Sequence, residues 1–186
     1  MFSAYRFWRT NQILSVVVNV NGITLSSGKS SVFYYDLRKV SFDPIGANLI
    51  ADLLFEKIHK AKSVGGLEIG AIPITMAILM KCGLSGFVVR KHVKDHGLKY
   101  MVEGNLDSPV VIVDDVLTTG ASLIKAIQAV KDEGVNVNGV FCILDREENN
   151  ELKNNNIKYT SLFKHSDFEP FIDAKIQKQK TQKPTI

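Results

Sequence analysis

The sequence has 186 residues but only two cysteines and no long apolar run. Cys82 and Cys142 lie far apart and neither belongs to a CxxC motif, which excludes a disulfide framework and a cysteine-rich metal site. No apolar stretch approaches the about 18 residues that a membrane-spanning helix needs. The start of the chain also lacks the apolar segment of a secretory signal peptide. These absences predict a protein of the reducing cytoplasm that has no membrane partner.

Positive charge is concentrated at one end of the chain. The formal net charge is +4, and Lys175, Lys178, Lys180 and Lys183 all lie within residues 175–186, which contain no acidic residue. Without that segment the rest of the chain is neutral, so the sequence offers no extended basic surface for nucleic acid. We expect residues 175–186 to form a basic, disordered tail.

The remaining residues, 1–174, are expected to form a single domain. Apolar runs predict strands at 86–91, 108–115, 136–146 and 157–163, and helical periodicity predicts helices at 43–62 and 121–134. Asp43 can cap the first of these helices, and Pro44 suits its first turn.

Continuous apolar strands that alternate with helices are typical of an α/β fold. The strands then form a mostly parallel sheet, and helices cover both of its faces. We expect this core to span 43–165, after a small N-terminal elaboration at 1–42. Within that elaboration, residues 22–40 indicate two extended pieces around a Ser-Gly turn.

The stretch 110–122, VVIVDDVLTTGAS, combines features that a purely structural strand has little use for. Four apolar residues run into two adjacent carboxylates, which repel each other, and a turn of small and hydroxylated residues leads into a helix. Ligands bind at the carboxyl ends of parallel strands, and a helix N-terminus favours phosphate. Both the Walker motif and the dinucleotide fingerprint GxGxxG are absent. A ribose 5-phosphate would match the acids with its hydroxyls and the turn with its phosphate.

A second charged stretch, RKHVKDHGLK, occupies residues 90–99. The segment contains four basic residues and only one acidic residue, so its like charges repel one another and it is expected to be mobile when no ligand is bound. A pyrophosphate would gather these charges and close the site against water.

These two stretches together resemble the orotate phosphoribosyltransferases of the type I phosphoribosyltransferase family. Residues 110–122 resemble the family's phosphoribosyl-pyrophosphate signature, and 88–104 resemble its catalytic loop, Arg-Lys-x-x-Lys-Asp-x-Gly. Further matching pieces, in the family's order, are 25–40, 66–73 and 144–148.

The resemblance implies the type I fold, with an N-terminal hood and a mobile loop. It also implies transfer of phosphoribosyl from 5-phospho-α-D-ribosyl 1-pyrophosphate (PRPP) to orotate in UMP synthesis. The products are orotidine 5′-monophosphate and pyrophosphate. Mg²⁺ would be held by oxygens of PRPP and not directly by protein ligands. The loop 90–105 would reach the neighbouring active site of a homodimer.

The resemblance further implies roles for individual residues. Lys94 and Asp115 are the expected catalytic residues, and Thr118, Arg146, Tyr34 and Tyr35 are expected to bind orotate. Strand alternation predicts that at most one of the two tyrosines faces the base and that the other belongs to the core. PRPP would contact Arg90, Lys91, Lys94, His96, Asp114, Asp115, Val116, Leu117, Thr118, Thr119, Gly120, Ala121 and Ser122.

Alternative interpretations stay open at this point. The domain could use another base, although Arg146 with Thr118 suits an anionic pyrimidine better than a neutral purine. It could also be a non-catalytic regulator that binds PRPP or a nucleotide, although the short segment before the domain leaves little room for a nucleic-acid-binding module.

Some positions also have simpler explanations or depart from the family. Arg146 could pair with a neighbouring glutamate, and His165 is expected to be an ordinary surface residue. Some family members carry lysines at the positions of Ser26 and Gly70, and this sequence lacks both.

Overall fold

The computed structural model describes residues 17–24, 30–58, 60–92 and 101–169, with the backbone alone at 17–24 and 30–33. Within these ranges the chain forms eight strands and five α-helices. The strands are β1 (Val17–Thr24), β2 (Ser30–Tyr35), β3 (Ser63–Leu67), β4 (Ser85–Val89), β5 (Val102–Gly104), β6 (Val110–Leu117), β7 (Val137–Asp145) and β8 (Thr160–Lys164). The helices are α1 (Arg38–Ser41), α2 (Pro44–Ile58), α3 (Ala71–Cys82), α4 (Ala121–Asp132) and α5 (Glu151–Asn154), and a 3₁₀ turn follows at His165–Asp167.

Six of the strands form one sheet in the order β5-β4-β3-β6-β7-β8. All neighbours in this sheet are parallel except β5, which pairs antiparallel with β4. Strands β1 and β2 form a separate antiparallel pair. The mostly parallel sheet with a small N-terminal elaboration, predicted from the sequence, is confirmed.

Apolar side chains cover both faces of the sheet, as the central strand β6 shows. Val111 and Val113 pack in one buried cluster with residues of α2 and α3. Val110 and Ile112 point to the other face and pack in a second cluster with residues of α4. Because successive side chains of a strand alternate between faces, an uninterrupted apolar strand needs helices on both sides.

The predicted helices occur, with small differences at their ends. The carboxylate of Asp43 accepts hydrogen bonds from the backbone N–H groups of Ile45 and Gly46, at 3.1 and 2.9 Å, which confirms the predicted cap. Helix α2 ends at Ile58, before the predicted end, and α4 ends at Asp132. No helix of the described residues is long and apolar enough to cross a bilayer.

Two local predictions were wrong. The segment that ends at residue 40 was expected to be extended throughout, but its last residues belong to α1, where the N–H of Ser41 bonds to the carbonyl of Leu37 at 2.9 Å. The last strand begins at Thr160 instead of residue 157, because the N–H of Ile157 bonds back to the carbonyl of Leu152 at 2.8 Å.

Candidate active site

A cavity of about 320 Å³ lies where β3, β6 and β7 end, next to the end of β2. This is the edge of a parallel sheet at which ligands bind. Its walls are formed by Tyr34, Tyr35, Arg38, Leu67, Glu68, Ile69, Gly70, Lys91, Asp114, Asp115, Val116, Thr118, Ser122 and Arg146. The structure therefore brings together the paired acids, part of the hydroxylated turn and the residues expected to bind the base.

A second cavity, of about 270 Å³, adjoins the first and shares Lys91, Asp114, Val116, Thr118 and Ser122 with it. Its remaining walls are Leu117, Thr119, Gly120 and Ala121, so it surrounds the turn between β6 and α4. Gly120 has a φ of 83°, a conformation that glycine adopts without strain. The first backbone N–H groups of a helix have no partner within the helix, so this turn suits a phosphate.

The two acids differ in their surroundings. The Asp114 side chain is only 7% exposed, and one of its oxygens accepts a hydrogen bond from the backbone N–H of Asp115 at 3.0 Å. Burial, and then the negative charge of Asp115, raise the pKa of the Asp114 carboxyl well above its ordinary value. Asp115 is half-buried and accepts from the N–H of Val116 at 2.8 Å. A ligand that donates hydroxyls would satisfy this crowded pair.

The carboxylate of Asp115 occupies the space beside Gly70, the residue before α3. A Cβ atom at position 70 would lie 2.6 Å from a carboxylate oxygen of Asp115. That distance is too short for two non-bonded atoms, so any side chain at position 70 requires Asp115 to move. The Asp115 carboxylate therefore occupies the space that a lysine at position 70 would need, and glycine leaves that space open.

Arg146 and Tyr35 form the opposite wall. The Arg146 side chain is 11% exposed, and its Nε lies 3.2 Å from a carboxylate oxygen of Glu148. Its guanidinium carbon lies 5.9 Å from the centre of the Tyr35 ring. The glutamate pairing considered for Arg146 thus exists, and the guanidinium still lines the cavity.

Tyr34 and Tyr35 both contribute to the cavity wall, but Tyr35 is only 4% exposed and belongs to the core cluster, whereas Tyr34 is half-buried. Both tyrosines lie within β2 and pair with β1, so their side chains start from opposite faces of that two-stranded sheet. That at most one of them faces the base stays a prediction. Burial is the main cause that raises the pKa of Tyr35, to about 12. The hydroxyl of Tyr34 accepts a hydrogen bond from Arg38 at 3.3 Å.

Sequence reasoning missed Arg38 and Glu68 as residues of the site. Arg38 also pairs with Asp36, at 3.1 Å, and lines the cavity. Glu68 accepts a hydrogen bond from the backbone N–H of Lys91 at 2.7 Å, and Lys125 donates to the carbonyl of Lys91. Glu68 directly follows an apolar strand, and this position at the ligand edge was a usable signal.

Two predicted PRPP ligands, Lys94 and His96, lie outside the described residues, and their roles stay predictions. Arg90 lines neither cavity, and its guanidinium pairs with Glu103 at 3.0 Å across β4 and β5. Its role in pyrophosphate binding stays a prediction as well. Within the described ranges, no cluster of three or more His, Cys, Asp or Glu side chains could hold a metal ion.

His165 lines neither cavity, and its side chain makes a contact that the sequence did not indicate. It is half-buried, and its Nδ1 is hydrogen-bonded to the hydroxyl of Tyr35. This contact joins the 3₁₀ turn after β8 to the end of β2.

The sequence of this chain matches a known family of protein domains. Residues 50–177 match the family profile of the phosphoribosyl transferase domain, a stretch that includes β6, the acids and the hydroxylated turn.

Individual relatives then narrow the family. Orotate phosphoribosyltransferases from Rhodopseudomonas palustris (strain TIE-1) and Aquifex aeolicus (strain VF5) are 41% and 42% identical to this chain. The alignments cover 78% and 77% of this chain and 86% and 84% of the relatives. The crystal structure of Mycobacterium tuberculosis H37Rv orotate phosphoribosyltransferase in complex with PRPP is 30% identical, with a TM-score of 0.70 over 88% of this chain and 98% of that one. The chain belongs to the orotate phosphoribosyltransferase family.

Proposed function

We infer that this protein transfers the phosphoribosyl group of PRPP to orotate, which yields orotidine 5′-monophosphate and pyrophosphate. The observation that carries the inference is the composition of one cavity edge. Paired acids, a hydroxylated turn at a helix N-terminus and a nearly buried arginine meet there, and each matches a different part of the two substrates.

We assign the ribose and 5′-phosphate of PRPP to the β6 side of the site. Asp114 and Asp115 would accept hydrogen bonds from the ribose hydroxyls, and residues 116–122 would surround the phosphate in the second cavity. Hydrogen bonds to a charged phosphate contribute about 1.5–3 kcal/mol each, enough to hold the sugar while the bond to pyrophosphate breaks. The Mycobacterium tuberculosis relative was solved in complex with PRPP, which supports PRPP as a substrate.

We assign orotate to the opposite wall, where Arg146 lies beside Tyr35. A guanidinium is well suited to a carboxylate because it donates two parallel hydrogen bonds. Thr118 and Tyr34 would complete the base site. The carboxylate of orotate could join Glu148 at the Arg146 guanidinium, whereas a neutral purine has no anionic group to place there, so the site favours an anionic pyrimidine.

A ring nitrogen of orotate loses its proton to solvent and bonds to C1 of the ribose. The bond between C1 and the pyrophosphate oxygen breaks, and its electron pair leaves with pyrophosphate. Positive charge develops on the sugar, beside Asp114 and Asp115. Lys91, which lines both cavities, lies where it can stabilise the leaving pyrophosphate. We propose that Arg90, Lys94 and His96 join it when the substrate is bound, with Lys94 and Asp115 closest to the chemical step.

We propose Mg²⁺ as the cofactor, bound mainly by oxygens of PRPP. Mg²⁺ keeps several waters and is usually bound through substrate phosphates, so the pyrophosphate oxygens of PRPP can hold it at the cavity while Asp114 and Asp115 serve the ribose. When bound, the ion neutralises charge on the pyrophosphate.

We propose that the protein is a homodimer in which the loop 90–105 reaches the partner's site. Exposed apolar side chains support an interface with a second copy, among them Phe42, Ile45, Met76 and Met80, which are 67%, 59%, 51% and 86% exposed. We further propose a single domain at 1–174 with a basic tail at 175–186, and a cytoplasmic location, which the free thiols of Cys82 and Cys142 support.

Mixing two inactive variants tests the shared site. Lys94→Ala and Asp115→Asn would each be inactive, but a mixed dimer would join an intact loop to intact acids at one of its two sites. Random exchange of subunits would then restore about one quarter of the wild-type activity. If each loop serves its own site, the mixture stays inactive, and the proposed exchange of loops is wrong.

The reaction itself is tested by the loss of orotate absorbance when the protein is mixed with Mg²⁺, PRPP and orotate. Hypoxanthine and uracil serve as parallel substrates. We expect a loss with orotate alone that added pyrophosphate reverses. Turnover of another base, or binding of PRPP without turnover, would contradict the proposal.

A further inference from the structure

Two residues of the turn after β8, His165 and Ser166, each make a contact toward the proposed orotate site without lining it. The first contact runs to Tyr35. Its hydroxyl is hydrogen-bonded to Nδ1 of His165, and the two rings meet edge to face with centres 6.0 Å apart and planes at 83°. Tyr35 in turn packs against the guanidinium of Arg146. The imidazole therefore fixes one of the two side chains of that wall.

The second contact runs to the residue after Arg146. The backbone N–H of Ser166 donates to a carboxylate oxygen of Glu147 at 2.8 Å. Glu147 has a φ of 61°, which is uncommon outside glycine, and its N–H donates to Asp145 at 2.8 Å. This contact holds the backbone beside Arg146 in a conformation that it would not favour alone.

The turn is itself well anchored. The N–H of Lys164 donates to the carboxylate of Asp167 at 2.8 Å, and the ring of Phe168 packs on that of Phe163 with centres 5.7 Å apart. Phe168 is 5% exposed and belongs to the core cluster under α2 and α3. A rigid support of this kind is what a binding side chain needs to keep its orientation.

We propose that the His165–Ser166 turn is a positioning element for the base site, in which His165 orients Tyr35 and Ser166 orients Arg146 through Glu147. The inference deepens the proposed function, since it rests on orotate binding by Tyr35 and Arg146. The two contacts run to Tyr35 and Glu147, which both belong to the base side of the site. We therefore expect the turn to act on orotate affinity and to leave PRPP affinity nearly unchanged.

The hydrogen bond joins the Tyr35 hydroxyl to Nδ1 of His165, and the tautomer of the imidazole decides which of the two atoms donates. The side-chain amide of asparagine carries both an acceptor oxygen and an N–H donor, so His165→Asn can replace either role of Nδ1, whereas His165→Ala removes the bond.

The test measures kcat and both KM values for His165→Ala, His165→Asn, Tyr35→Phe and the Tyr35→Phe/His165→Ala double variant. Loss of one hydrogen bond should raise KM for orotate about three- to tenfold, while KM for PRPP and kcat change by less than about twofold. His165→Asn should restore most of the loss. The double variant should raise KM for orotate no further than the single variant with the larger effect, because both substitutions remove the same hydrogen bond. Thr160→Ala, an exposed change on β8, is the matched control.

Separate outcomes distinguish this inference from the proposed function. If Arg146→Gln leaves KM for orotate unchanged, the assignment of the base site is wrong. If Arg146→Gln raises that KM but the His165 and Tyr35 variants do not, only the positioning role is overturned. Equal increases in both KM values, or additive effects in the double variant, would also overturn it. Should His165→Ala fail to fold, Tyr35→Phe decides, because it removes a single oxygen.

Discussion

The two sides of the proposed active site are built in different ways. The side proposed to bind phosphate, the phosphate end, comes mainly from one continuous stretch, in which β6 runs through the turn at 118–120 into α4. The side proposed to bind orotate, the base end, is assembled from the end of β2, the residues after β7 and the turn after β8. The first is held by the backbone of the sheet and a helix, and the second by contacts between side chains. Substitutions at the two ends should therefore affect different kinetic constants.

The largest effect is expected from Asp115→Asn at the ribose. The change keeps the shape of the side chain but removes the charge that faces the developing positive sugar, so kcat/KM should fall about 10²–10³-fold. Steady-state rates measure it. Asp132→Asn, at an exposed position of α4, makes the same chemical change and should leave the rate unchanged. A loss of less than about threefold for Asp115→Asn would contradict its catalytic role.

Gly70→Ala should displace the carboxylate of Asp115, because position 70 lies directly beside it at the start of α3. The new methyl group would collide with Asp115, so we expect kcat/KM to fall about 10–100-fold, since small displacements of reacting groups are costly. Stability should change little, because Gly70 has an ordinary φ of −61°.

Gly83→Ala provides the matched comparison. Gly83 has a φ of 64°, and a Cβ atom added there would have no neighbour within 4 Å. Alanine should therefore lower the free energy of unfolding by about 1 kcal/mol and leave the activity unchanged. Thermal unfolding and rates measured on both variants check this pair. Unchanged activity in Gly70→Ala would mean that Asp115 moves aside freely.

Glu68→Ala should have a smaller effect, at the point where the chain enters the loop. It removes the acceptor for the N–H of Lys91, and KM for PRPP should rise about three- to tenfold. Glu68→Gln retains an acceptor oxygen and should recover most of the affinity. An equal rise in KM for orotate would show that the two ends are not independent.

The smallest effect concerns stability, measured by denaturant unfolding of Asp114→Asn across a pH series. The folded state raises the pKa of Asp114, mainly through burial, so it binds the proton more tightly than the unfolded chain does. Protonated Asp114 therefore makes its full contribution to the free energy of unfolding at pH values below the ordinary Asp pKa of about 3.9. This contribution is lost as the pH rises through the raised pKa of the folded state.

Asp114→Asn removes this dependence. Near neutral pH the variant should therefore be more stable than the wild type, by about 2–4 °C in Tm for each kcal/mol gained, although it loses activity. A variant that is less stable than the wild type at neutral pH would contradict the raised pKa.

Most of the phosphate end could be predicted from the sequence, because the residues that act together there are neighbours in the chain. The alternation of Val110 to Val113 between the two buried clusters also follows from the apolar run itself. The base end was predicted only as far as the family resemblance reached, at Thr118, Arg146 and the two tyrosines. Arg38 and Glu68 were missed, because their role depends on which strand ends lie side by side.

The sequence by itself determined the α/β fold, the acidic strand end and the phosphate turn, since periodicity and local order encode them. The tertiary structure alone decided that Asp115 fills the space beside Gly70 and that His165 holds Tyr35. The first contact exists because β3 pairs with β6, and the second because the turn after β8 meets the end of β2. Such contacts join residues far apart in the chain, and the packing of the sheet and its loops is what brings them together.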